Sequence, residues 1–338
     1  MPPGDTMKLL VTGAAGDIAF QLIPSLVRQG HSIRALVRSE KEARSIQNPA
    51  IEIVVADITN PQSISGTAAD VDAVFHLAAA LFVADPEEDL RKINYEGTIN
   101  VANECIAHGV KRFIFPSFPL VLGPHTAPSQ PINPEDAATQ PNCFHALYKK
   151  LCEQHLLVLA EHGKFSPTIL RLGTVYGPDM RLIKALKSFI KQGLYRIPGD
   201  GNYVFSPVHV DDVVQGMLLA LNSEKAIGQI YNVADDMPVR YKEFVFMLAD
   251  LLQVPRPQSV PIALYRVLAG FAALWARLTN TAPLINNDMV TFSTSSFAAD
   301  TTKTKNELGF KPNYPTIAKG LPTCINRHQG LEKRSIAA

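Results

Sequence analysis

VTGAAGDIA, residues 11–19, is the stretch on which the fold turns. It continues the apolar run begun by Leu9 and Leu10 and opens a helical pattern, with Gly13 and Gly16 three residues apart at the turn. At such a strand-to-helix turn the first glycine permits the tight bend and the second lets backbone approach a pyrophosphate, while the helix N-terminal amides receive the negative charge. Ala19 holds the third position of the pattern, where a methyl group still allows close helix–strand packing. The turn predicts a bound dinucleotide touching Gly13, Ala15, Gly16, Asp17 and Ile18; the bland alternative is a glycine-containing turn without a ligand.

Outward from this turn, KLLVTG (8–13), IRALVR (33–38), IEIVVAD (51–57), DAVFHLAA (72–79) and KRFIFPS (111–117) are short strand-like runs, several of them separated by helical stretches. That alternation predicts an α/β fold with a doubly wound parallel Rossmann sheet. Pro24 falls inside the first helix, where its missing donor and its ring should kink the chain. Beyond Gly123 a Pro-rich segment reads as a loop leading into a helix over about 143–162, and helices dominate from Tyr241 onward. The expected organisation is a Rossmann domain over 7–175, rejoined by 208–236, with a smaller, mostly helical C-terminal substrate lobe from 176–207 and 237–330 and a tail at 331–338.

With 338 residues and 46% apolar content, the chain can bury a large core. Its 32 basic and 31 acidic residues nearly cancel and form no long like-charge block, so no nucleic acid partner is expected. Cys105, Cys143, Cys152 and Cys324 lack the spacing of a zinc or redox pair and read as reduced, inert thiols. Met1–Leu10 has no signal-like apolar core, which sets a cytoplasmic location as the expectation. Residues 260–278 (VPIALYRVLAGFAALWARL) are the one membrane-like stretch, but Arg266 and Arg277 interrupt it and Pro261 and Gly270 weaken it. No membrane span is expected there. A core-facing helix is favoured over an amphipathic surface helix making peripheral membrane contact or admitting a lipid-like substrate.

Which dinucleotide binds is read at the end of the second strand, where a carboxylate suits the ribose of NAD and an arginine suits the 2′-phosphate of NADP. Arg38 occupies that place, favouring NADP over NAD against the reading of Arg38 as an ordinary surface charge.

TGAAGDIA (12–19), VVADIT (54–59), FHLAAA (75–80), NYEGTINV (94–101), LRLGTVYGP (170–178) and PGDGNYVFSPVHVDD (198–212) follow one another in an order that resembles the extended short-chain dehydrogenase/reductase family. The likeness runs from about Lys8 to Arg327 and is greatest to the branch similar to sugar-nucleotide epimerases and 3β-hydroxysteroid dehydrogenases. By position, it implies that Asp57 and Ile58 border the adenine, that Leu77, Ala78 and Ala79 line the cofactor cleft with Thr174, and that Asn94 helps organise the sheet. It also implies Ala80, Phe118 and Tyr176 as substrate contacts, although most of the aromatics Tyr176, Phe205, Tyr265, Phe271 and Trp275 read more readily as core than as pocket.

Members of that family carry Tyr-x-x-x-Lys on a helix, a Glu four residues after the lysine, and a Ser or Thr at the end of an earlier strand. Aligned on Lys149 and Glu153, this sequence has His145 at the tyrosine's place, and counted back from Gly123 it has Phe118 at the serine's. Ser117 should face the opposite side of its strand unless a bulge intervenes. Lys149 remains available to the nicotinamide ribose. A lysine one turn from His145 disfavours a protonated ring, so His145 is expected to serve as a neutral base in alcohol oxidation or epimerisation. The equal alternative makes His145 a polar residue in a cleft whose chemistry has lapsed.

No metal is expected, because His209 with Asp211 and Asp212 reads as a loop-to-helix junction. The leading reading is an NADP(H)- or NAD(H)-dependent oxidoreductase or epimerase. It acts on the hydroxyl or carbonyl of a small-molecule substrate, hydrophobic if the lobe's aromatics line the pocket, and a homodimer is one expected assembly. Its rivals are a non-catalytic dinucleotide-binding scaffold and a redox-neutral lyase or isomerase on the same fold.

Overall fold

The computed structural model describes residues 6–325 except 47, 49, 126–139, 162, 164, 280, 282 and 284. Most of the Pro-rich segment and the tail at 331–338 lie outside the described residues.

Strands β1 (Lys8–Thr12), β2 (Ser32–Val37), β3 (Ile51–Val55), β4 (Ala73–His76), β5 (Arg112–Ser117) and β6 (Ser166–Leu172) enter the central sheet in sequence. After the short strands β7 (Thr174–Tyr176), β8 (Ile197–Pro198), β9 (Val204–Phe205) and β10 (Pro207–His209), β11 (Ile230–Val233) adds the last edge. The order is β11-β6-β5-β4-β1-β2-β3, every pair parallel. Strand order reverses beside β1, and sheets of this kind bind ligands outside the carboxyl ends at that switch. Thr12 pairs with both Leu36 and His76, so the ends of β1, β2 and β4 open on one edge.

Helices cover both faces, as parallel strands buried on each side require. The helices in chain order are α1 (Asp17–Arg28), α2 (Glu40–Ser45), α3 (Pro86–Leu90), α4 (Gly97–Ala107), α5 (Phe144–Glu161), α6 (Arg181–Lys191) and α7 (Val210–Asn222). Leu22 and Leu26 of α1 and Val213 and Met217 of α7 share a core on one face, while Val101, Cys105, Cys152 and Leu156 of α4 and α5 share one on the other. Pro24 does not end α1, which runs on to Arg28. All four cysteines are free and buried.

A third apolar cluster builds the smaller lobe from α6, α8 (Tyr241–Leu251) and neighbouring segments, among them Ile183, Leu186, Phe244 and Leu248. Two further helices, α9 (Ile262–Thr279) and α10 (Asn287–Thr294), pack on each other, and α10 also packs on α5. The stretch 260–278 is not a core-facing helix: Phe271, Trp275 and Leu278 of α9 are 68%, 69% and 75% exposed.

Candidate active site

Gly13 has φ +63°, and a Cβ placed on it would lie 2.7 Å from the Ala78 backbone. Both the left-handed turn and the approach of the chain leaving β4 therefore demand glycine there. Gly16 caps α1 in an extended conformation with no side-chain cap bond, and its own N–H donates to the Gly13 carbonyl at 2.9 Å. The first-turn amides of α1 thus have no capping side chain to satisfy them, which suits a pyrophosphate. Ala15 and Ile18 are half-buried on the turn. The Asp17 carboxylate is turned to α6, accepting from Arg181 Nε at 2.7 Å and from the Arg181 backbone N–H at 2.9 Å. Only the Asp17 backbone is left for the cofactor.

A buried chain of hydrogen bonds links this turn to the far side of the cleft. Thr98 donates its hydroxyl proton to the Asn94 carbonyl, so His76 Nε2–H must donate to Thr98 Oγ1, 3.0 Å away. Nδ1 of His76 then accepts from Thr12 Oγ1 at 2.8 Å, and Thr12 Oγ1 in turn accepts from the Ala78 N–H. Burial first, and the Lys149 charge second, lower the His76 pKa to about 3, which keeps this relay neutral. Asn94 grips Ala80 by both backbone groups, at 2.7 and 2.9 Å, from a π-helical turn over Arg91–Glu96. Its task is to hold the strand-end segment Leu77–Ala80; it does not lie in the sheet. His76, Thr12 and Thr98 were not singled out from the sequence, although His76 sits inside the quoted FHLAAA run.

Asp57 is exposed at the end of β3, its carboxylate turned back to Thr59, while Ile58 is buried against Gly97. Arg38 follows β2 with its guanidinium exposed and 3.4 Å from Glu42. An arginine there is free to swing toward a phosphate for the loss of one weak surface ion pair.

On α5, Lys149 Nζ donates to the Pro116 carbonyl at 2.8 Å and lies 4.3 Å from the centre of the Phe115 ring, and burial lowers its pKa. Glu153, one turn on, receives a two-pronged bond from Arg171 of β6 at 3.0 and 2.6 Å, both side chains buried. Ser117 is buried with no partner for its hydroxyl, on a strand that pairs residue for residue with β6 and has no bulge. Phe118 packs against Phe292 and Phe297, ring centres 4.8 and 4.7 Å apart, so an aromatic wall stands where a hydroxyl was sought.

His145 overturns the expectation of a neutral base with a free lone pair. Its Nε2 is 2.7 Å from the Leu81 carbonyl, which can only accept, and its Nδ1 is 2.5 Å from Asp288 Oδ2. No ring nitrogen offers a lone pair to a substrate. Asp288 also caps α5, accepting from the Phe144 N–H at 2.6 Å. It lies 143 residues from His145, and no sequence motif marked it.

Tyr176 is not a substrate contact. It is 1% exposed, and its hydroxyl donates to Asp235, whose pKa burial raises to about 8. Its ring is enclosed by His209, Phe244 and Gly320. Thr174 is half-buried at the start of the same strand, its backbone bonded to Ser206. His209 caps α7, accepting from the Asp211 N–H at 3.2 Å and pairing with Thr323.

The sequence model of a family described as the NAD dependent epimerase/dehydratase family matches residues 9–234. The chain is 29% identical over 290 residues to a 2-alkyl-3-oxoalkanoate reductase of Stenotrophomonas maltophilia, covering 82% of this chain and 87% of that one. It is 26% identical over 358 residues to 3beta-hydroxysteroid-dehydrogenase/decarboxylase isoform 1 of Arabidopsis thaliana, covering 96% and 80%. In three dimensions it matches the dTDP-glucose 4,6-dehydratase DesIV of Streptomyces venezuelae, solved with NAD bound, with a TM-score of 0.76 at 22% identity over 94% of this chain and 96% of that one.

Proposed function

The chain belongs to the NAD dependent epimerase/dehydratase family, and on that premise we propose that it is an NADP(H)-dependent reductase, accepting NAD(H) less well, for a carbonyl carried on an apolar skeleton. When bound, the nicotinamide supplies or withdraws hydride. Gly13, Gly16 and the α1 amides hold its pyrophosphate, Arg38 meets the 2′-phosphate, and Lys149 turns from Pro116 to the ribose. His145 supplies the proton.

The observation that carries this reading is the bond from His145 Nε2 to the Leu81 carbonyl at 2.7 Å, with Asp288 on the other nitrogen at 2.5 Å. A ring so held already gives its Nε2–H to a carbonyl oxygen. A substrate carbonyl that displaces Leu81 would receive that proton as the alcohol forms, leaving the Nδ1–H on Asp288. The sense is donation, which favours carbonyl reduction over alcohol oxidation. Phe118, Phe292 and Phe297 support an apolar substrate, as do the two named relatives, whose substrates carry oxygen on alkyl or steroid carbon.

The test is NADPH consumption with a series of alkyl ketones and 3-oxo acids of increasing chain length. Turnover that rises with chain length and falls on loss of His145 supports the proposal; tight NADPH binding with no turnover across the series refutes it. The latter outcome would favour the scaffold reading, whose own support is the closure of both His145 nitrogens and the aromatic at 118.

A further inference from the structure

Helix α9 is seated opposite to the usual arrangement of a helix on a globular core. Ala269 and Ala276 are 0% and 2% exposed, whereas Val267, Leu268, Phe271, Leu274, Trp275 and Leu278 range from 54% to 75%. The spacing of those six places them along one helical stripe, so the small residues face the protein and the large apolar ones face outward. Eighteen residues make this helix about 27 Å long. The stripe itself, from Val267 to Leu278, runs about 17 Å along that helix, and a contiguous exposed apolar stripe marks an interaction surface.

Charge identifies the partner. Over its whole length α9 carries Arg266 and Arg277 and no acidic residue, whereas the nearest upstream arginine, Arg256, is paired with Asp250. Basic residues beside a broad apolar helical face match an anionic lipid surface, where the face sinks to the acyl boundary and arginines stay among the headgroups. Trp275 suits that depth, because its ring is apolar and its indole N–H needs a wet partner. Among the described residues no helix is long and apolar enough to cross a membrane, so contact would be made from the surface.

We propose that α9 docks this protein, lying flat, on an anionic lipid bilayer. The inference goes beyond the proposed reaction and does not require it: docking stands or falls whether or not the cleft turns over a substrate. Where both hold, α9 packs on α10, which carries Asp288 and Phe292, so the docked helix adjoins the element that frames His145.

Trp275 is the chain's single tryptophan, which makes the test direct. The full chain is mixed with vesicles of phosphatidylcholine plus phosphatidylglycerol, or of phosphatidylcholine alone, and Trp275 emission and vesicle flotation are followed. Anionic vesicles should shift the emission to the blue, bilayer-embedded doxyl lipids should quench it, and protein should float with them, each effect weakening with added salt. A Phe271→Gln/Leu278→Gln variant should bind roughly tenfold more weakly or worse, while keeping its melting temperature. Unchanged emission and no flotation overturn the proposal, as does undiminished flotation of the double variant. Emission already blue without lipid, shifting red on dilution as a sedimenting dimer dissociates, overturns it in favour of a second copy on this face.

Discussion

Asp288 Oδ2 lies 2.5 Å from His145 Nδ1, both side chains buried, joining the start of α5 to the start of α10 across 143 residues of sequence. The pair orients the imidazole so that Nε2 faces the Leu81 carbonyl at the edge of the cleft. If this is the proton donor, His145→Ala should lower kcat by about 10²–10⁴-fold with NADPH affinity unchanged. Asp288→Asn, which keeps the cap on Phe144, should lower it by about tenfold or more. Steady-state NADPH oxidation beside calorimetric NADPH binding separates the two effects; full turnover in His145→Ala would remove His145 from the reaction.

Arg38 and Gly13 divide cofactor choice from cofactor binding. Arg38→Ala should weaken NADPH by about tenfold or more, the worth of a charge-assisted pair, and leave NADH untouched. Gly13→Ala should abolish both, since its methyl would meet the Ala78 backbone at 2.7 Å and its φ is +63°. Calorimetric titration with each dinucleotide checks this, and equal loss of NADH and NADPH in Arg38→Ala would refute the assignment of the 2′-phosphate.

Acid should unfold the protein earlier than its carboxylates alone require. Burial lowers the His76 pKa to about 3 and the His209 pKa to about 4. Unfolded histidine titrates near 6.5, so below that pH the unfolded state takes up protons first. The stability these neutral rings permit is complete above about pH 6.5 and is lost as pH falls toward 4, at up to roughly 1.4 kcal/mol per unit for each ring. Urea unfolding between pH 4 and 7 measures the slope; a flat profile would contradict it.

Asp235 acts in the other direction. Burial, opposed by bonds from Tyr176 and the His209 backbone, raises its pKa to about 8. The folded state keeps a proton that the unfolded state releases near pH 4, so stability declines as pH rises from about 4 to 8. Asp235→Asn should remove that decline, and the gap in urea midpoint between variant and parent should widen steadily over this range. A gap independent of pH would show that Asp235 is already ionised in the fold.

Much of the architecture was legible in local sequence. Gly13 and Gly16 between an apolar run and a helix, with β-branched runs recurring downstream, identified the parallel sheet and its first strand-to-helix turn, because backbone conformation at a glycine and apolar periodicity along a strand are local properties. Lys149 and Glu153 entered through the resemblance to the family's Tyr-x-x-x-Lys helix, a pattern confined to one helix and so readable along the chain. The substrate role of Tyr176 and the core-facing reading of α9 did not hold, because aromatic and apolar residues look alike in sequence whether they face a core, a cleft or solvent.

The sequence by itself determined that this chain forms a parallel Rossmann sheet with a glycine-bearing strand-to-helix turn, and the family resemblance set His145 and Phe118 as the expected occupants of the usual hydroxyl positions. Only the tertiary structure decided what surrounds those two side chains. Asp288 and Leu81 reach His145 from distant elements, and Phe292 and Phe297 come from the far end of the chain to pack on Phe118. A hydrogen bond or a ring contact depends on distance in space, and a pattern along the chain encodes such distances only within a helix or a strand.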